Sequence, residues 1–247
     1  MRIKLKYEVN KNYIPLIYRP KIISLIKASL GSDVDKIYSK KITKPFTFSL
    51  KFNGKINNDK IYLNENKITL LFSFLENYDI NVLNLPYYYY ETTIKIYNGL
   101  IRINKFYLQE DLFITLKYCG FISEKKIKTN KIKFKTLSPI LLETKDNKPI
   151  LPDNPNFNYE FNKIHQKIIN SLGYNYKDLK INIISWKKRV IKNTFSEFQE
   201  KTNKNIMYIT AFDAILEITG DKTILKILYK KGIGNRTGEG FGMVDVI

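Results

Sequence analysis

The segment Gly232-Ile-Gly-Asn-Arg-Thr-Gly-Glu-Gly-Phe-Gly242 cannot be a regular element. Five glycines in eleven residues carry too large an entropic cost for a helix or a strand interior. The stretch therefore reads as a loop, with a short helix over 221–230 before it and a last strand over 243–247 after it. Backbone N–H groups at Gly232, Gly234, Gly238, Gly240 and Gly242 suit a turn that faces a phosphate, with Arg236 beside them. The same composition also suits a tight connection into the final strand. It is neither a phosphate-binding Walker loop nor a dinucleotide fingerprint. It contains no Gly-Lys-Ser/Thr, and it follows a helix rather than a strand.

Working back from that loop, strands are expected over 181–191 and 206–218, with a polar, helix-prone insertion between them. Phe161, Ile164, Ile168, Ile169 and Leu172 recur at helical spacing and stop at Gly173. A Pro- and Asn-rich loop spans 147–158, and a strand with Pro139 at an edge or bulge spans 133–143. The lysine-rich stretch 125–135 looks like a seam. In the first half, Ile3, Leu5 and Tyr7 alternate with Arg2, Lys4 and Lys6 as a strand. Pro20 opens a helix with the apolar stripe Ile22, Ile23, Leu25, Ile26 and Leu30, ended by Gly31. Strands follow over 46–52 and 60–75, a short helix broken at Pro86 falls within 79–90, and a strand spans 99–108. Tyr87 to Tyr90 read as packing residues. Both halves thus carry strand, helix, strand, strand, helix, strand, which is the ferredoxin-like order. The expected class is α+β: two tandem ferredoxin-like (RRM-like) domains, residues 1–125 and 126–247, antiparallel sheets with helices on one face. The repetition lies in element order alone.

Charge narrows the partners. Lys and Arg number 42 against 23 Asp and Glu, a formal net charge of +19, which sets up a long-range field that favours polyanions. An A+T-rich genome also enriches Lys, Asn, Ile and Tyr, but it would enrich Asp and Glu too. No apolar run is long enough to cross a bilayer, and the N-terminus has no signal-peptide core, so the chain is expected to be soluble and cytoplasmic with no membrane partner. One cysteine, Cys119, and one histidine, His165, exclude a disulfide framework and a Cys- or His-rich metal site. Trp186, Lys187, Lys188, Arg189 and Lys192 place an aromatic and a basic cluster on one strand. Arg meets phosphates or guanine edges and Trp stacks on a base, so these residues suit RNA. An edge strand guarded by lysines would look the same.

Three stretches carry a resemblance. The ending Gly-Ile-Gly-Asn-Arg-Thr-Gly-Glu-Gly-Phe-Gly-Met-Val-Asp-Val from Gly232 is similar to the C-terminal signature of the RAMP superfamily. Within it, the chain resembles the CRISPR-associated endoribonucleases that cut precursor repeat RNA, the Cas-six family. Phe134-Lys-Thr-Leu-Ser-Pro-Ile140 is similar to that family's first strand of the second domain, and Lys44-Pro-Phe-Thr-Phe-Ser-Leu50 to the second strand of its first domain.

The resemblance implies the tandem ferredoxin-like fold and CRISPR repeat RNA as partner. It further implies metal-independent scission by the RNA's own 2′-hydroxyl, giving cyclic phosphate and 5′-hydroxyl ends, with no cofactor. Such a step needs in-line geometry, proton transfer and charge stabilisation at the phosphoryl group. In the family the first helix supplies a tyrosine, a histidine follows it, and a lysine precedes the second strand. The matching positions here are Lys27, Tyr38 and Lys44, with Lys40 or Lys41 as further cations, so the histidine is absent. Free Lys and Tyr titrate near pH 10, which implies a slow nuclease that relies on positioning and electrostatics. His165, within a helix far from these positions, reads as structural or surface-exposed. The alternative is a non-catalytic guide-RNA-binding subunit of a CRISPR effector complex, with effector subunits as partners. Monomer and homodimer are both open. A generic RRM-like binder is opposed by the lack of its aromatic signature.

Overall fold

The computed structural model describes residues 1–38, 43–76, 87–194, 199–200 and 203–247. The first half supplies β1 (Arg2–Val9), β2 (Tyr13–Pro15), α1 (Arg19–Leu30), α2 (Val34–Tyr38), β3 (Phe46–Asn57), β4 (Lys60–Phe74), α3 (Tyr87–Arg102), β5 (Lys105–Gln109) and β6 (Leu112–Phe121). Its antiparallel sheet runs β3-β4-β1-β6-β5, with β2 also on β4. Setting aside β2 and β5, the order β6-β1-β4-β3 is that of a ferredoxin-like sheet. The second half supplies β7 (Lys131–Thr136), α4 (Phe157–Ser171), β8 (Lys180–Asn193), β9 (Met207–Thr219), α5 (Lys222–Lys231) and β10 (Val244–Val246). Its sheet order, β10-β7-β9-β8, repeats the first. The α+β, tandem ferredoxin-like expectation holds.

Each helix is positioned by an apolar stripe. Ile22, Leu25, Ile26 and Leu30 of α1 are buried, with Pro20 in the first turn where its missing N–H costs nothing. Helix α1 packs against α3, and the two approach so closely at Gly99 that a Cβ there would lie 2.0 Å from the Ser29 carbonyl oxygen. Helix α4 buries Phe157, Phe161, His165 and Ile169 at successive fourth positions. Helix α5 is capped by Asp221, whose side chain accepts from the N–H groups of Thr223 and Ile224, satisfying donors that the first turn leaves open.

Three expected elements are corrected. The strand expected over 99–108 is the end of α3 followed by β5 from Lys105. Thr92, Thr93, Ile96 and Leu100 face inward from α3 at helical spacing, so packing overrides the β-branched preference of the first three. Strand β6 stands where no strand was expected. The strand expected over 133–143 stops at Thr136, because the Leu137 and Ser138 N–H groups both turn to the Met243 carbonyl and bend the chain. Of the segment expected as a broken helix, 79–86 lie outside the described residues, and α3 begins at Tyr87.

The outward face of the first sheet is buried by the second half. Arg2 pairs with Ser73 across β1 and β4, and Ser73 with Thr47 across β4 and β3. This row is polar, yet all three residues are buried. Thr47 Oγ1 donates to the Phe241 carbonyl at 2.7 Å, and Ser49 Oγ to the Leu137 carbonyl at 2.5 Å. Arg2, 3% exposed, donates from Nη2 to the carbonyls of Tyr229 and Val244, each at 2.6 Å. Its Nε meets Ser73 Oγ at 3.1 Å, and its guanidinium lies 3.7 Å from the centre of the Tyr229 ring. Planar, multiply bonded sites of this kind need Arg rather than Lys.

Replacing Arg2 strands two buried carbonyls. Arg2→Ala is expected to lower unfolding free energy by about 3 kcal/mol or more, and Arg2→Lys by a similar amount. Urea denaturation measures this. A loss near zero for both would mean that the row contributes little to joining the two sheets.

Candidate active site

The glycine-rich segment is threaded between the two halves. Gly232, Gly234, Gly240 and Gly242 take positive φ of 95°, 91°, 84° and 69°. At two of them space is as restrictive as conformation. A Cβ on Gly234 would lie 2.3 Å from the Leu141 carbonyl oxygen, and one on Gly242 1.9 Å from that of Ile233. The amides of these four glycines point inward. Gly232 donates to the Leu228 carbonyl, Gly240 to Thr237, Gly242 to Pro139, and Gly234 to Nε2 of His165 at 2.9 Å. The phosphate cradle expected of Gly232, Gly234, Gly240 and Gly242 is therefore corrected. Each backbone N–H has one proton to give, and protein acceptors already hold all four. Arg236 is likewise engaged, with its Nε 2.8 Å from Glu143 Oε1 and Nη2 3.4 Å from Asn147 Oδ1.

His165 is structural in the sense expected. Its Nδ1–H donates to the Phe161 carbonyl at 2.7 Å, its Nε2 accepts from Gly234, and its ring stacks on Phe161 with centroids 4.0 Å apart. Complete burial holds its pKa down to about 3; the bond to the Phe161 carbonyl opposes that shift and Lys231 reinforces it. Lys231, also buried, donates from Nζ to the Gly234 carbonyl at 3.3 Å, and burial lowers its pKa to about 7. One peptide on each side of Gly234 is thus gripped by a buried side chain.

The 3-10 turn Thr237–Glu239 carries the loop against α1 and β3. Gly238 rests on Lys44, where a Cβ would come 2.6 Å from Lys44 Cγ, and Gly240 rests on Phe48. Here three of the candidate residues come together. The ammonium groups of Lys27 and Lys44 lie 5.0 and 5.3 Å from the centre of the Tyr38 ring. Lys44 Nζ donates to the Ile37 carbonyl at 2.6 Å. Its pKa is lowered by burial, with Glu239 opposing and Lys27 adding to that shift. Burial raises Tyr38, reinforced by Glu239, and its hydroxyl is buried without a hydrogen-bond partner. Lys40 and Lys41 lie outside the described residues.

Two site residues escaped the sequence reading. Glu239 was weighed only as part of a glycine loop. Its pKa is pushed up to about 7 by burial, with Glu143 adding to the rise and Arg236, Lys44 and Arg19 opposing it. Its Oε2 is buried without a hydrogen-bond partner. Arg19, at the start of α1, is buried, and its guanidinium lies 4.8 Å from the centre of the Phe241 ring. No local signal marked Arg19, since Phe241 lies more than two hundred residues away in sequence.

The basic strand lies elsewhere. Trp186, Lys187, Lys188, Arg189 and Lys192 sit on β8, at the end of the described second sheet. Trp186 is 37% exposed, enough to offer a ring face to a base. Arg189 pairs with Asp213 at 2.5 Å and Lys192 with Asp59 at 3.1 Å. The latter pair reaches across to the turn between β3 and β4. Arg189 and Lys192 rim a cleft of about 580 Å³ between the halves, with Arg19, Phe52 and Pro139 along its walls. Among the described residues no three His, Cys, Asp or Glu side chains gather to hold a metal, and no helix is long and apolar enough to cross a membrane.

Two ferredoxin-like sheets sealed by a C-terminal glycine-rich segment define a RAMP-type protein. A sequence profile described as "CRISPR associated protein Cas6, C-terminal" matches residues 122–246. The chain belongs to the Cas6 family of CRISPR-associated proteins. Solved structures agree in fold. One described as "Characterization of a Cas6-related gene from Pyrococcus furiosus" is 23% identical over 100% of this chain and 98% of its own, with a TM-score of 0.79. "An RAMP protein binding different RNA substrates" is 21% identical over 100% and 99%, TM-score 0.77. "CRISPR associated protein Cas6" is 22% identical over 100% and 99%, TM-score 0.72. None of the curated proteins matches the chain in sequence.

The state of His165 has a consequence for stability. Its folded pKa of about 3 lies below the unfolded value near 6.5, so the unfolded chain binds the proton more readily. Stability is fully present above pH 6.5 and falls as pH drops toward 3. His165→Phe is expected to flatten that part of the profile while costing about 1–3 kcal/mol at pH 7 for the unpaired Gly234 N–H. Denaturation at stepped pH checks this, and a variant with wild-type acid sensitivity would refute it.

Proposed function

We propose that this protein is a metal-independent endoribonuclease that binds CRISPR repeat RNA and cuts it by attack of the RNA's 2′-hydroxyl, leaving cyclic phosphate and 5′-hydroxyl ends. The observation that carries this reading is the convergence of Lys27 and Lys44 on the Tyr38 ring, at the positions where the family resemblance locates its catalytic side chains. Two cations a few ångströms from one point suit charge that develops on a phosphoryl group. Binding is assigned to the exposed face of Trp186 with Lys187 and Lys188, and to Arg189 and Lys192 at the rim of the cleft. The formal charge of +19 favours such a partner at long range, and a structural neighbour at TM-score 0.77 is described as binding RNA. In this reading the glycine segment acts as scaffold for Lys44 rather than as a phosphate cradle.

A second reading has its own observation. The Tyr38 hydroxyl is buried and unpartnered, so it touches a substrate only if the site opens. A closed site suits a subunit that holds guide RNA without cutting it.

Single-turnover cleavage of the repeat RNA in EDTA, with a 2′-deoxy substitution at the mapped cut, separates the two. One cut that survives EDTA and is lost with the deoxy substrate is the expected result. Lys44→Ala is expected to slow it about a hundredfold with binding retained. Trp186→Ala is expected to weaken binding by about 1–3 kcal/mol, and affinity should fall steeply with salt. Tight binding without a cut would establish the guide-holding reading instead.

A further inference from the structure

The cluster around Tyr38 holds two ammonium groups and a phenol but lacks a group suited to take a proton at neutral pH. A lysine is a proton donor there, and burial keeps Tyr38 in its neutral form. The chain's one histidine is enclosed beneath the glycine segment with both ring nitrogens bonded. Among the described residues, Glu239 is a carboxyl brought to this place, where Lys44 and Arg19 act on it.

Its placement follows from the loop. The turn Thr237–Glu239 is seated on Lys44 through Gly238, so residue 239 comes next to the point where the loop meets that lysine. Arg236, at the start of the turn, holds a left-handed conformation at φ 49°, which a non-glycine residue adopts at a cost. It donates from Nε to Glu143. The charged and titratable groups that act on Glu239 come from every side: Arg236 on its own turn, Glu143 in the segment after β7, Lys44 before β3, Arg19 on α1, and Tyr38 on α2, whose ionisation Glu239 opposes. Despite these cations, Oε2 is buried with no hydrogen-bond partner. A buried, unsatisfied carboxyl oxygen is costly, and a structural role would be served as well by a neutral or apolar side chain. Such groups concentrate where proton transfer is needed.

We propose that Glu239 is the proton acceptor of this site. The inference rests on the endoribonuclease reading and deepens it. Like the Tyr38 hydroxyl, the buried Glu239 oxygen meets RNA when the site opens; as the 2′-hydroxyl then attacks, its O–H bond breaks toward the Glu239 carboxylate and the 2′-oxygen bonds to phosphorus. The bond from phosphorus to the 5′-oxygen then breaks, and that oxygen takes a proton from the Lys44 ammonium. Glu239 ends protonated and Lys44 neutral, and exchange with solvent restores both. Lys27 retains its charge throughout and stabilises the phosphoryl oxygens. The lowered pKa of Lys44 makes it a readier donor, and a carboxyl that titrates at about 7 is a stronger base than an ordinary glutamate.

The test is the pH profile of single-turnover cleavage of the repeat RNA for the wild type, Glu239→Gln and Glu239→Asp, with RNA affinity and thermal melting measured alongside. The wild-type rate is expected to fall about tenfold per pH unit on the acid side of a break and to level above it. The break is expected at or above the Glu239 value of about 7, since the bound phosphate favours the neutral acid. Glu239→Gln is expected to cut at least about a hundredfold more slowly and to lose the break, with affinity and melting unchanged. Glu239→Asp is expected to keep a break and part of the rate. A wild type that cuts while Glu239→Gln stays within about twofold of it at every pH overturns the assignment and leaves the nuclease reading standing. A wild type that binds without cutting overturns both. Should Glu239→Gln fail to fold, a Glu239→Asp variant with the wild-type rate and break overturns the assignment.

Discussion

The structure depends on a backbone that passes where no side chain fits. Between Ile233 and Met243 the chain runs with Leu141 on one side and β3 on the other. Gly234 and Gly242 sit so close to the carbonyls of Leu141 and Ile233 that any Cβ would displace the backbone within the second half, and a Cβ on Gly240 would meet Phe48 of β3. Because the passage is that narrow, its hydrogen bonds bind distant parts of the chain. Phe241 accepts from Thr47 of the first sheet, Gly242 donates to Pro139, and Asn235 donates to Leu141. The core beneath β1 and β4 takes nothing from it and the core beneath β7 and β9 takes in its Ile233, and the passage helps to hold the two in place. This explains why glycine, the worst residue for a regular element, is concentrated there.

Holding a bare backbone inside a protein requires buried polar side chains. His165 and Lys231 hold the peptides on either side of Gly234, and Arg2 holds the carbonyls of Tyr229 and Val244. Each of these side chains carries or can carry a charge, and each is desolvated to serve a carbonyl or an amide. Such groups cost stability when left alone and give definition when satisfied. The seam between the halves is accordingly polar and specific in register, whereas each sheet's own core is apolar and tolerant.

Much of this was legible from local pattern. The alternation in β1, the stripe of α1 closed by Gly31, and the repeated order of the second half follow from periods of 2 and 3.6. Helix α3 was not legible. Its Thr92, Thr93, Ile94 and Ile96 favour a strand locally, and the burial of Thr92, Thr93, Ile96 and Leu100 on one face, with Gly99 packed on Ser29 across 70 residues, overrides that preference. The site shows the same division. Lys27, Tyr38 and Lys44, which meet at the Tyr38 ring, could be anticipated from the family resemblance alone. The orientation of the glycine amides could not, because the acceptors that turn them inward belong to Pro139 and His165. Glu239 was visible as a letter and not as a site, since its burial is created by α1 and β3.

That burial bears on what a basic protein can do with one acid. On a surface crowded with lysine, an exposed carboxylate would be neutralised by the nearest ammonium and its pKa held low, leaving it a poor base. Glu239 escapes this because desolvation outweighs its cations. Arg236, Lys44 and Arg19 all favour the charged form, yet the pKa still rises to about 7. The same enclosure lowers Lys44 and raises Tyr38. One wall, made by the 3-10 turn against α1 and β3, thus shifts an acid up and an amine down, narrowing the gap between them. A raised acid and a lowered amine on one wall ease proton transfer, and here both shifts arise from how tightly a glycine-rich turn can lie on a lysine.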